Sequence, residues 1–149
     1  MRIAVVHGPN LGLLGRREPG IYGTITLQEI DEALREMAGR LDVEIETFQS
    51  NHEGEILDHL EEISQRAQGI LINPAGLTHT SVSLRDALAG IALPCVEVHL
   101  SNPAAREEFR RISFVAPVSV ATVAGFGKNS YLFGLQGLVS HLSDSPEKA

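Results

Sequence analysis

The feature that most constrains this chain is the alternation of short apolar runs with amphipathic helical stretches. Gly69-Ile-Leu-Ile-Asn73 is apolar until a closing Asn73-Pro74. Such a run suits a central strand buried on both faces, the setting a parallel sheet provides. Residues 2–6, 43–48, 94–99 and 118–124 read as four further strands. Residues 43–48 alternate in polarity, as a half-buried edge strand does. Thr26 and Glu29 have capping-box spacing and open a helix to about Arg40, with Leu27, Ile30, Leu34 and Met37 on one face. Residues 54–68 read as a second helix. Thr80 or Ser81 caps a third, to about Ala89. Asn102-Pro103 opens a short helix to about Arg111, with Pro in its first turn. Residues 127–142 form the last, and 143–149 read as a frayed polar tail.

Five strands alternating with five helices imply one α/β domain over residues 1–149, with helices on both faces of a parallel sheet. The expected arrangement is flavodoxin-like, with strand order 2-1-3-4-5. Ligands of such sheets sit beyond the carboxyl ends of the strands, where the order reverses. Residues 7–10, 73–76 and 99–102 would then converge on one crevice.

The chain between the first strand and first helix is the unusual part. Residues 7–23 hold five glycines and two prolines, which disfavour regular structure. Among them sit Asn10, Arg16, Arg17, Glu18 and Tyr22. A long loop of this kind usually carries function.

Several functional classes are excluded. A net charge of −7 argues against a general nucleic-acid binder. No apolar run approaches the roughly 20 residues of a membrane span, and the apolar N-terminal run is too short for a signal peptide. A cytoplasmic protein is expected. The opening loop lacks the Lys-Ser/Thr of a nucleotide P-loop, and no Gly-x-Ser-x-Gly elbow is present. No pair of the six histidines has a metal-ligand spacing, and Cys95, the only cysteine, reads as a small core residue. The only lysines are Lys128 and Lys148. Handling of a carbonyl substrate would therefore run through an enolate rather than an imine.

What remains is a site of Tyr, Arg, His, Asn and Ser. Glu97 and His99 alternate with Val96 and Val98 on the fourth strand, where two ionisable groups are costly unless paired or functional. Arg106 and Arg110 are four apart, and either could reach back to an anion. His79 lies near the start of the third helix, where it could bind a ligand or cap.

Three sets of motifs in this order carry a resemblance. They are Gly8-Pro-Asn-Leu-Gly, Arg16-Arg-Glu-Pro and Tyr22-Gly; Asn73-Pro, Thr78-His-Thr-Ser-Val and Leu84-Arg-Asp-Ala; Glu97-Val-His-Leu-Ser-Asn and Arg106-Glu-Glu-Phe-Arg. Together they resemble type II 3-dehydroquinate dehydratase, a shikimate-pathway family, over nearly the whole chain. The resemblance implies a flavodoxin-like fold and the anti elimination of water from 3-dehydroquinate to 3-dehydroshikimate, with no metal or organic cofactor. It makes Tyr22 the base, Arg17 the group that keeps it ionised, and His99 the acid for the departing hydroxyl. Asn10 would hold a water against the enolate oxygen, and Glu97 would orient His99. Asn73, His79, Leu100, Ser101 and Arg110 would bind substrate. Asp86 would reach a neighbouring subunit's site in a dodecamer, a tetramer of trimers.

The chemistry suits those roles. A free tyrosine ionises near pH 10, and a cation within about 4 to 6 Å lowers an acid's pKa by roughly 1 to 3 units. A histidine is the side chain best tuned to give a proton near neutrality. Glycines at 15, 20 and 23 suggest that residues 15–23 close as a lid. Two positions depart from the family pattern: Gly90, often acidic, and Ala121, usually glycine. A non-catalytic binding module on the same fold, or an oligomer with a decayed site, are the competing readings.

Overall fold

The computed structural model describes residues 1–145. In chain order the elements are β1 (Arg2–His7), α1 (Pro19–Tyr22), α2 (Leu27–Arg40), β2 (Glu44–Gln49), α3 (Glu53–Ile63) and β3 (Gly69–Asn73). Then follow α4 (Val82–Ile91), β4 (Cys95–His99), β5 (Ala121–Ala124) and α5 (Lys128–Asp144). The strands form one sheet in the order β2-β1-β3-β4-β5, every pair parallel. This is the flavodoxin-like arrangement expected.

Alternation along the strands divides the core into two layers. Ile3, Val5, Leu71, Val96 and Val98 pack with α2 and α5 on one face. Ala4, Val6, Ile70, Ile72 and Cys95 pack with α3 and α4 on the other. All five residues of β3 and of β4 are buried, as central strands require. Burial pushes the Cys95 thiol up to about 12, so it is an inert core group. At Gly134 an added Cβ would lie 2.7 Å from Val98 Cγ1, so α5 sits directly on the sheet.

Local chemistry sets the element ends. Both halves of the Thr26–Glu29 capping box form. Ser81, not Thr80, caps α4. That helix runs through Gly90 and stops after Ile91, where Ala92 turns left-handed. β1 and α5 each extend slightly beyond the expected ends, and residues 146–149 of the expected tail lie outside the described residues.

Three expectations need correction. The second helix ends at Ile63 rather than 68, followed by turns in which Ser64 Oγ donates to the Glu61 carbonyl at 2.6 Å. The fifth strand begins at Ala121 rather than Val118, because Pro117 sits in a 3-10 turn, Ala116–Val118. The short helix over 102–111 is two 3-10 turns, Pro103–Ala105 and Glu108–Arg111, with Arg106 extended between them. That break turns Arg106 back toward the ends of the strands, where its Nη1 meets Ser101 Oγ at 3.3 Å.

Candidate active site

A cleft of about 220 Å³ opens beyond the carboxyl ends of β1, β3 and β4. Three loops build it. The first is tied down before it reaches the cleft. The Gly8 N–H donates to the Asn73 carbonyl at 2.8 Å, and a Cβ at Gly8 would sit 2.5 Å from the Pro74 oxygen. Only glycine allows the first and second loops to lie this close. Asn10 then takes a left-handed turn, and its N–H donates to Asn51 Oδ1 at 2.9 Å. Gln49 Nε2 donates to the Gly8 carbonyl. The end of β2 thus holds the loop from outside, and the Asn10 residue lines the cleft.

Farther along, Glu18 is left-handed and α1 is a single turn that presents Tyr22. Two guanidinium groups lie over the Tyr22 ring. Arg17 Cζ is 4.9 Å from its centroid, and Arg106 Cζ is 5.2 Å. Arg17 also faces Glu18, with Nε to Oε2 at 3.7 Å.

The second loop supplies Asn73 and His79. Asn73 Oδ1 accepts the Ala75 N–H at 3.1 Å. His79 Nδ1 lies 2.7 Å from the Ile112 carbonyl, so Nδ1 carries the proton, and Nε2 makes no hydrogen bond among the described residues.

The third loop follows β4. Glu97 is fully buried and His99 is 8% exposed. His99 Nε2 meets Glu97 Oε1 at 2.6 Å. Ser113 Oγ lies 2.9 and 3.1 Å from the two Glu97 oxygens, and Thr122 Oγ1 lies 3.4 Å from Oε2. Ser113 is itself fixed by the N–H groups of Val115 and Ala116. With Nε2 engaged, Nδ1 is the nitrogen of His99 left for a ligand. Leu100, Ser101, Arg106 and Arg110 complete the wall. Arg110 Nε donates to Glu107 Oε2 at 2.5 Å. The Glu107 carboxyl is held below its usual range, first by its own backbone N–H and then by Arg110.

The sequence matches the family described as Dehydroquinase class II over residues 1–139. The chain belongs to that family. It is 56% identical to the 3-dehydroquinate dehydratase of a Nostoc species over 142 residues, 95% of this chain and 97% of the relative. It is 51% identical to the 3-dehydroquinate dehydratase of Gloeobacter violaceus over 148 residues, 99% and 92% of the two chains. The crystal structure of a type II dehydroquinase from Butyrivibrio crossotus superposes with a TM-score of 0.91 at 41% identity, covering 93% of this chain and 97% of that one.

In this class II dehydroquinase, Asn10, Arg17, Tyr22, Asn73, His79, His99, Leu100, Ser101 and Arg110 all line one cleft. Glu97 lies behind His99. Asp86 does not line it; it is exposed on α4 with Arg85 Nη1 3.4 Å away. Lys128 opens α5 and lines no part of the cleft. Among the described residues, no three His, Cys, Asp or Glu are grouped to hold a metal ion. None of their helices is long and apolar enough to cross a membrane. Sequence reasoning left Arg106 undecided and missed Gln49, Asn51, Ser113 and Thr122. Only Arg106 carried a signal, its i,i+4 spacing from Arg110.

Proposed function

We propose that this chain is a 3-dehydroquinate dehydratase, a hydro-lyase that removes water from 3-dehydroquinate to give 3-dehydroshikimate. Family membership supports the reaction. The observation that carries the mechanism is the pairing, in one cleft, of Tyr22 under two guanidinium groups with His99 backed by a buried carboxylate.

In this reading Tyr22, as phenolate, takes the proton beside the ketone. Arg17 and Arg106, stacked over the ring, offset the negative charge of the base. The carbanion delocalises onto the ketone oxygen as an enolate. Asn10, at the head of the tethered loop, holds a water against that oxygen. The Nδ1 of His99 then gives its proton to the departing hydroxyl, while Glu97 stabilises the imidazolium before transfer. Asn73, His79, Leu100, Ser101 and Arg110 bind the hydroxyls and the carboxylate.

Gly15 and Gly23, both at positive φ, bracket α1 and support residues 15–23 as a closing lid. The single domain over 1–149, a cytoplasmic setting and a role in the shikimate pathway belong to the same reading. So does a homododecamer built from trimers, in which Asp86 serves a neighbouring site. The exposed position of Asp86 and the exposed Phe126–Phe133 pair support an assembly.

Substrate carrying deuterium at one face of the carbon beside the ketone tests the stereochemistry. Loss of label only from the face opposite the departing hydroxyl is expected. Loss from the same face would contradict the roles given to Tyr22 and His99.

A further inference from the structure

The roles above leave one carboxylate beside the cleft without a task. Glu107 does not line the cleft, yet it sits between two arginines that do, Arg106 and Arg110. It holds Arg110 twice. Its carbonyl accepts the Arg110 N–H at 2.9 Å, and its Oε2 accepts the Arg110 Nε–H at 2.5 Å. The 3-10 turn Glu108–Arg111 brings this about, because side chains three apart eclipse in such a turn. The Glu107 backbone N–H and then Arg110 keep the carboxyl below its usual range, so it is charged at neutral pH.

The contact decides which part of Arg110 a ligand can meet. A guanidinium carries five N–H donors in a flat fork and can offer an oxygen either an Nε–Nη edge or the Nη1–Nη2 edge. Nε is taken by Glu107, and Phe109 lies against the guanidinium with its centroid 4.9 Å from Cζ. Among the described residues Nη1 and Nη2 make no hydrogen bond, although the side chain is only 18% exposed. Their four protons are therefore the donors left for the cleft. Arg106 depends less on Glu107. Its Nε is 3.9 Å from Oε2, too far for a hydrogen bond, while its Nη1 meets Ser101 Oγ at 3.3 Å and its Cζ lies over Tyr22.

We propose that Glu107 is a positioning residue for substrate binding: it holds Arg110 by Nε and leaves the Nη1–Nη2 edge of the guanidinium to the substrate. The role rests on the reading of Arg110 as a substrate-binding group. Glu108, the next carboxylate along, supplies a control, since it makes no hydrogen bond or ion pair among the described residues.

Steady-state kinetics on 3-dehydroquinate test it. Glu107→Ala is expected to raise KM about threefold to tenfold, with kcat within about threefold of wild type. Glu107→Gln keeps an oxygen for Nε, so its KM falls between the two. Glu108→Ala, which removes the same charge one residue away, leaves KM unchanged. Arg110→Ala raises KM as well, and the Glu107→Ala, Arg110→Ala double variant is no worse than Arg110→Ala alone. A normal KM in Glu107→Ala beside a raised KM in Arg110→Ala overturns the positioning role alone. A normal KM in Arg110→Ala overturns the binding role of Arg110 and the positioning role with it. Additive effects in the double variant, or an equal rise in Glu108→Ala, also overturn the role of Glu107. So does a loss in Glu107→Ala that falls on kcat instead of KM. Nitrogen NMR of the wild-type protein gives a reading that needs no variant. A slowly exchanging Arg110 Nε–H is expected, and a freely exchanging one contradicts the proposal.

Discussion

At the residue scale the account depends on how two side chains are held. His99 is fixed through Nε2 by Glu97, and Glu97 by Ser113 and Thr122. His99→Asn removes the proton donor and is expected to lower kcat by about 10²- to 10⁴-fold. Ser113→Ala leaves the donor in place and loosens its support, so it lowers kcat by much less. Steady-state kinetics on both variants check the order, and an equal loss would contradict it. The glycine-rich loop and the Glu97-His99 alternation pointed to most of this site from the sequence. Ser113 and Thr122 were not legible, because nothing in their spacing marks them. They meet Glu97 only once β5 pairs with β4 and the segment before it folds back. Arg106 was half-legible: its spacing from Arg110 suggested a shared helix face, but an extended backbone at Arg106 is what brings it over Tyr22.

At the scale of elements, hydrophobic period identified all five strands and the four long helices. Periodicity fails where side chains outvote the local backbone preference. Pro117 delays β5, and an extended backbone at Arg106 splits residues 102–111 into two turns. The Thr26 cap was legible because its chemistry is local. Thr26→Ala is expected to cost about 1 kcal/mol by urea unfolding, with activity retained by the folded protein. Gly8 joins two loops by close approach, so its role is not local. Gly8→Ala forces a Cβ against the Pro74 oxygen and is expected to destabilise by about 1–3 kcal/mol. It should also weaken turnover, because Asn10 and Asn73 move with those loops. A Gly8→Ala protein as stable and active as wild type would contradict this.

At the scale of the whole molecule, the sheet gathers residues from positions 10 to 110 into one cleft, and its far edge sets part of the response to acid. His59 on α3 stacks on Phe48 of β2 with ring centroids 4.0 Å apart. Burial lowers its pKa from 6.5, and its Nε2 has no hydrogen-bond partner among the described residues. Below about pH 6.5 the unfolded chain therefore binds a proton that the fold resists, and stability falls as pH falls. Glu46, held below 4.5 by its hydrogen bond to Arg66, adds a loss of the same sign at lower pH. His59→Gln is expected to flatten urea-unfolding stability between about pH 7 and 5; an unchanged slope would contradict the assignment. The central claim is the elimination itself, with Tyr22 as its base. The most direct measurement follows ultraviolet absorbance as purified protein, treated with chelator, meets 3-dehydroquinate, beside the Tyr22→Phe variant. The product's new double bond is conjugated and absorbs. The account predicts turnover by wild type and its collapse in Tyr22→Phe. No turnover by folded wild-type protein, or full turnover by the variant, would contradict it.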